Sequence, residues 1–300
     1  MLRTPCAQVR HTIARMELAA ATARFAYLAS ALEGSGGFAP SVLYRTEDGT
    51  QKPYAIEGDC HITAYPRESR SKYAARVACA VYENHLLQAC ERFAAYLERK
   101  SPARTGSDSP LVAAFMNDCD DGGTALDVLM HSLVIAAKAR GSMLVLLQMP
   151  SVPAGASMAQ AAGGLRVVPY LQAVNPETVA ECELDDRGRI ASIGIHSQAE
   201  VDGKKVPVIR RWDESTWSVW IDRRCIEQGT HPFGQCPVLA ITENGAPFPQ
   251  VGKFAQIADL SRRLYNARSE LDEILRGQTF SLLTLQIPPE VPNPADFAQA

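Results

Sequence analysis

The sequence predicts an α+β protein of long amphipathic helices, an antiparallel β-rich region and one projecting helix. Three observations carry this. Helical periodicity fills three long stretches: Cys6 to Leu32, Pro66 to Lys100 and Val251 to Arg276. Between Leu165 and Thr242 the texture changes to short β-rich runs separated by turn signals. The last long helix carries a narrow apolar seam that wants a helical neighbour.

In the first stretch Ile13, Met16, Leu18, Ala20, Phe25 and Leu28 interleave with Arg10, Arg15 and Arg24, and Gly34, Gly36 and Gly37 end the helix. The run SVLYRTEDGTQKPYAIEG suggests a hairpin turning at Glu47-Asp48-Gly49, with Pro53 confining its second strand to an edge. Tyr73, Val77, Val81, Cys90, Phe93 and Leu97 recur near helical spacing and predict one helix from Pro66 to Lys100. The loop SPARTGSDSP and a short helix from Leu111 to Met116 follow. Thr124 is placed to cap the next helix, Asp127 favours the positive end of its dipole, and Gly141 stops it. Its stripe is Leu126, Leu129, Met130, Leu133, Val134 and Ala137. SMLVLLQ then reads as a buried strand against whose sheet this helix lies, and PSVPAGASMAQAAGG as a loop of small residues.

The runs VVPYLQAV, ECELDDRGRIASIGIH, VDGKKVPVIRRWDESTWSVWID and CPVLAIT predict an antiparallel meander. Ile193 and Ile195, and likewise Trp217, Val219 and Ile221, alternate with other residues, so each run presents one face to a core. In the final helix Ile257, Leu260, Leu264, Ala267, Leu271 and Ile274 are spaced 3, 4, 3, 4, 3, the a/d pattern of helix-to-helix packing. Asp259 lies four before Arg263, and Asp272 four before Arg276, the favourable order for pairs within a helix. Gly277 is the expected stop, and FSLLTLQI the next strand.

Composition narrows the function classes. With 300 residues, 46% of them hydrophobic and 21% charged, the chain has ample material for a packed core. A net charge of -3 removes the global basic signature of a free-standing nucleic-acid binder, so any DNA contact must be local or geometric. Arg10, His11, Arg15 and Glu17 interrupt any export signal, and apolar runs such as Met143 to Leu147 fall far short of the roughly 20 residues that span a bilayer. Neither secretion nor membrane insertion is expected. The eight cysteines form no CxxC pair and read as reduced, small core hydrophobes.

The chemical motifs are weak. NDCDDGG gathers Asp118, Asp120 and Asp121 like a calcium loop, but the closing glutamate position holds Leu129. The glycines Gly34, Gly36 and Gly37 follow a helix instead of preceding one, which makes them a C-cap and not a phosphate cradle. His231 and Cys236 lack a second ligand pair for zinc. GxSxG, HExxH and GxxxxGK[ST] runs are absent, and no reaction, cofactor or metal is expected. Arg262, Arg263, Arg268 and Arg276 on the last helix suit phosphate or subunit contacts. The bland reading is a solvated face, because Asp259, Glu270, Asp272 and Glu273 almost neutralise that helix.

The order of four stretches resembles the portal proteins of tailed bacteriophages. YPRESRSKYAARVACAVYENHLLQACERFAAYLERKSPAR is similar to their early helix and loop, and FMNDCDDGGTALDVLMHSLVIAAKARGSMLVLLQMP to their helix-glycine-strand unit. VPYLQAVNPETVAECELDDRGRIASIGIH with RRWDESTWSVW resembles the β-rich wing, and the chain from His231 to Pro288 resembles the passage from wing to stem helix to clip. The resemblance runs from about Tyr65 to Pro288 and rests on ordered texture, without a catalytic signature.

The resemblance implies a non-enzymatic subunit of a ring, usually a dodecamer, at the capsid vertex of a virion. Double-stranded DNA passes through such a ring without sequence reading, driven by the terminase large subunit, and the tail attaches through head-tail connector proteins. Its organisation would be an N-terminal helix and hairpin (1–64), a wing-like body (65–250), a stem helix (251–277) and the start of a clip (278–300). Portal proteins continue with more clip, a second stem helix, a tunnel loop and a crown, so the chain reads as truncated, as a fragment, split gene or degraded prophage copy would. Alone it is expected to assemble poorly. Two other classes fit the same residues: a soluble α+β enzyme with a site in the β-rich region, and a minor head or adaptor protein that docks through the last helix.

Overall fold

A computed structural model describes residues 11–13, 15–34, 38, 42–47, 50–56, 61–100, 102–103, 109–150, 166, 168–201 and 204–279. The architecture is α+β. Six helices are described: α1 (Arg15–Glu33), α2 (Arg70–Cys79), α3 (His85–Leu97), α4 (Pro110–Asn117), α5 (Leu126–Arg140) and α6 (Ala255–Thr279). The strands are β1 (His11–Thr12), β2 (Val42–Glu47), β3 (Thr50–Ile56), β4 (Ser142–Gln148), β5 (Tyr170–Val174), β6 (Val179–Leu184), β7 (Ile190–Val201), β8 (Lys204–Trp212), β9 (Thr216–Ile221), β10 (Arg224–Thr230) and β11 (Val238–Thr242).

The expected meander is present. Strands β6 to β10 pair in sequence order, all antiparallel, and β1 adds to the outer side of β6. Turn chemistry fixes the register. Asp185 accepts backbone N–H bonds from Arg187 and Arg189 between β6 and β7, and Asp213 accepts them from Ser215 and Thr216 between β8 and β9. One face places Cys182, Ile193, Ile195, Val208 and Val219 in the core, while Glu181, His196 and Arg211 occupy the other. A second sheet orders β11, β4 and β5, with β4 central and buried over most of its length. The hairpin β2–β3 forms as expected, with Pro53 opposite Tyr44 in a two-stranded sheet where both strands are edges.

Gly141 ends α5 in the left-handed region (φ 93°) and delivers the chain directly into β4. Leu129 and Leu133 of α5 then pack on Met143 and Val145 of β4, the expected helix-on-sheet unit. Helix α1 joins two cores: Leu18 and Phe25 pack with the sheets and Phe248, and Leu28 and Ala31 with the helices around Phe38, Tyr82 and Tyr265.

Several boundaries differ from expectation. Helix α1 begins at Arg15, not near Cys6, and the expected stop at Gly34 holds, with φ 91°. The helix expected from Pro66 to Lys100 is two helices. Ala80 turns extended, Tyr82 drops into the core and donates its hydroxyl to the Ala31 carbonyl (3.1 Å), and Asn84 caps α3 by accepting from Leu87 N–H (2.9 Å). A buried tyrosine and an asparagine cap worth about 1 kcal/mol override the continuous period. Thr124 does not cap α5, whose N-cap is Ala125; the Thr124 N–H instead donates to Asp120. Gly277 does not stop α6, which runs on to Thr279. The strand expected at FSLLTLQI lies outside the described residues.

Candidate functional site

Two faces of α6 do different work. The face turned to the body carries Ala255, Ala258, Ser261, Tyr265 and Ser269, all buried and, apart from Tyr265, small. Small side chains let α6 approach α1, α2 and α3 closely, and Tyr265 packs edge-on against Phe38 and Tyr82. Tyr27 of α1 donates its hydroxyl to the Ala258 carbonyl (3.1 Å); burial and the nearby Asp259 carboxylate push that phenol up to about 12. Asn266 accepts from Thr63 N–H (2.8 Å) and donates to the His61 carbonyl (3.0 Å), tying α6 to the segment before α2.

A buried clamp fixes the same face to α2. The Arg76 guanidinium donates Nε and Nη2 to the two oxygens of Glu68 (2.9 and 2.8 Å), Nη2 also to the Thr63 carbonyl (2.7 Å), and Nη1 to Ser269 Oγ on α6 (3.2 Å). The side chains of Arg76 and Glu68 are 3% and 1% exposed, and the Tyr65 ring stacks on the guanidinium at 4.2 Å. Hydrogen bonds from Arg76 hold the Glu68 carboxyl below its ordinary value.

The charged residues flanking this face reach outward to other elements. Asp259 pairs with Arg24 of α1 and Glu273 with Lys72 of α2 (2.8 Å), while Arg268 pairs with Glu83. Arg262 leans on the His61 carbonyl (3.4 Å), and Arg276 bonds Cys79, which raises the pKa of the guanidinium. The expected intrahelical pair of Asp259 with Arg263 is therefore replaced by one between helices. Of the four arginines singled out in the sequence, Arg262, Arg268 and Arg276 are engaged with the body, and Arg263 has no hydrogen-bond or ion-pair partner among the described residues.

The seam residues lie on the other face. Leu260, Leu264, Leu271 and Ile274 are 62%, 46%, 53% and 55% exposed, Ala267 is exposed, and Leu275 extends the row. Ile257 alone of the six is drawn partly into the helical core. Each of these side chains is already about half covered, so full cover by a partner would contribute about 1 kcal/mol apiece.

The remaining sequence candidates resolve into local structure. The Thr124 side chain and the Gly122 and Thr124 amides bond Asp120, which lowers its pKa, and Asp118 accepts from Gly123 N–H and from Arg166 (2.6 Å). Their carboxylates thus close a turn and neutralise an arginine. His231 Nε2 meets the Asp213 carbonyl, whereas the Cys236 thiol is buried and pushed up to about 12. Among the described residues no group of three or more His, Cys, Asp or Glu side chains is arranged to hold a metal ion, and no helix is long and apolar enough to cross a membrane.

Sequence reasoning missed a cavity of about 430 Å³ where the inner face of β8–β9 meets the end of β4. Its signal was in plain view: Trp212, Trp217 and Arg210 share one face of the pleat, an arginine in register with core residues. No protein-family model matches the chain, and no curated protein matches it either.

Proposed function

We propose that the chain is a non-enzymatic subunit, or the N-terminal part of one, of a ring-forming portal at a phage capsid vertex, through which double-stranded DNA is packaged and ejected. The open seam of α6 carries this reading. A helix whose face of mostly small residues is clamped to its own body while an a/d row of apolar residues faces outward is suited to lie beside a copy of itself. Where the seam of one copy meets a different patch of the next, repetition of that contact about an axis closes a ring. The occupant of the seam is therefore a second copy of this chain.

The order of segments that resembles portal proteins supplies the rest: the terminase large subunit as motor, the capsid and head-tail connectors as neighbours, and a virion location reached from the host cytoplasm. DNA would be held by channel shape and charge without base reading. Arg263 is the arginine of α6 without a partner among the described residues, and so the one suited to such a contact.

Mass photometry and cryo-electron microscopy of the chain, expressed with any in-frame continuation, test the reading. Closed rings of uniform subunit number support it. A monomer at every concentration, or a compact dimer that leaves Leu264 and Leu271 exposed, overturns it.

A further inference from the structure

The cavity beside β8 and β9 is lined by Arg210, Trp212, Trp217, Glu227, His231 and Phe233 among others, with prolines along its rim. Its polar chemistry is incomplete. Arg210 Nε and His231 Nδ1 lie out of reach of solvent with no hydrogen-bond partner. Arg210 forms no ion pair among the described residues, and residues 151–165, which follow the rim residue Pro150, contain no Asp or Glu. An occluded guanidinium nitrogen without an acceptor costs stability unless a water or a ligand completes it.

The site is two-signed. Arg210 pairs with Val219 in the ladder, and Val219 with Glu227, so the cation and the anion occupy one row two strands apart. At the usual strand spacing their backbones lie roughly 9 to 10 Å apart, about one turn of a polyproline-II helix, in which residues three apart face the same side. A polynucleotide would meet Glu227 with repulsion and only one arginine in return. Val219 stands between the two charges, and the aromatic and proline residues that line the same cavity suit a flat apolar residue.

We infer that this cavity docks a polyproline-II segment of a partner polypeptide that carries an acidic residue for Arg210 and, three positions away on the same side, a basic residue for Glu227, with an aromatic or proline residue between them. This goes beyond ring formation, since neither the seam nor any arginine of α6 takes part. The chain's three tryptophans all lie on β8 and β9, two of them in the cavity, so intrinsic fluorescence reports occupancy directly.

The experiment is selection of a random dodecapeptide phage library on the immobilised full chain, followed by fluorescence titration of the enriched peptides against the wild type, Arg210→Met and Glu227→Gln. The expected peptides share an acid and a base three apart, perturb tryptophan emission, and bind each variant at least tenfold more weakly. The melting temperature of Arg210→Met should hold or rise, because an unsatisfied buried group is removed. A fall of more than about 5 °C would make Arg210 a structural residue and overturn the assignment. Failure to enrich any peptide, enrichment indifferent to Arg210→Met, displacement of the peptides by a free zwitterionic dipeptide at equal concentration, or tighter binding of a twelve-residue oligothymidylate would each overturn it too.

Discussion

Gly141 and Gly252 touch backbone to backbone. A Cβ added to Gly141 would stand 1.8 Å from the Gly252 nitrogen, and one added to Gly252 would stand 2.8 Å from the Gly141 Cα. The Gly252 N–H donates to the Arg140 carbonyl (3.0 Å), and the Gly141 carbonyl accepts from Glu243 N–H (3.0 Å). This crossing holds the segment entering α6 against the corner between α5 and β4, and so sets where α6 begins to pack along α1, α2 and α3.

Gly141→Ala is therefore expected to be among the most damaging single substitutions. It meets both a positive φ and a backbone clash with no flexible side chain to yield, and a loss of more than about 4 kcal/mol in a urea titration, or failure to fold, is expected. Gly277→Ala, with nothing within 4 Å, should instead leave stability unchanged or raise it by about 0.5–1 kcal/mol.

Arg76→Ala strands a buried carboxylate and should cost about 3–5 kcal/mol. The Glu68 pKa is lowered in the folded chain, so its contribution is full above the unfolded value of 4.5 and is lost as pH falls through the depressed folded value. Glu68→Gln should flatten the wild-type fall in stability below pH 4.5, which chemical denaturation across pH 3 to 6 measures.

Leu264→Asp with Leu271→Asp separates folding from assembly. Both side chains are exposed, so the double variant should stay within about 1 kcal/mol of the wild type in denaturation, yet lose the self-association that the wild type shows in sedimentation when expressed with any in-frame continuation. Equal association of the double variant and the wild type would sink the seam as an interface.

Thiol labelling of the native chain followed by peptide mapping should divide the described cysteines. Cys79 and Cys225 are exposed and should react within minutes at pH 8, while Cys90, Cys119, Cys182 and Cys236 stay blocked until unfolding. Burial raises all four of these thiols, three of them to about 12, so they behave as the small core hydrophobes expected from the sequence, whereas the two exposed cysteines do not.

The exposed pair of Arg268 and Glu83 provides the contrast with Arg76. Both side chains are 45% exposed, and Arg268→Ala should cost less than about 1 kcal/mol, an effect that fades in 0.5 M salt.

The sequence by itself determined what short range controls. The α+β class, the meander with its Asp turns, the glycine ends at Gly34 and Gly141, and the row from Leu260 to Ile274 all follow from period and turn chemistry within a few residues. Tertiary structure decided the rest. The break between α2 and α3 depends on Tyr82 reaching the Ala31 carbonyl, and Arg24 pairs with Asp259 across 235 positions where local spacing had favoured Arg263. The cavity at Arg210 needs three strands and the end of β4 brought together. Local preferences are worth tenths of a kcal/mol to about 1 kcal/mol per residue, whereas burial, close backbone approach and long-range ion pairs act between segments that no sequence window contains.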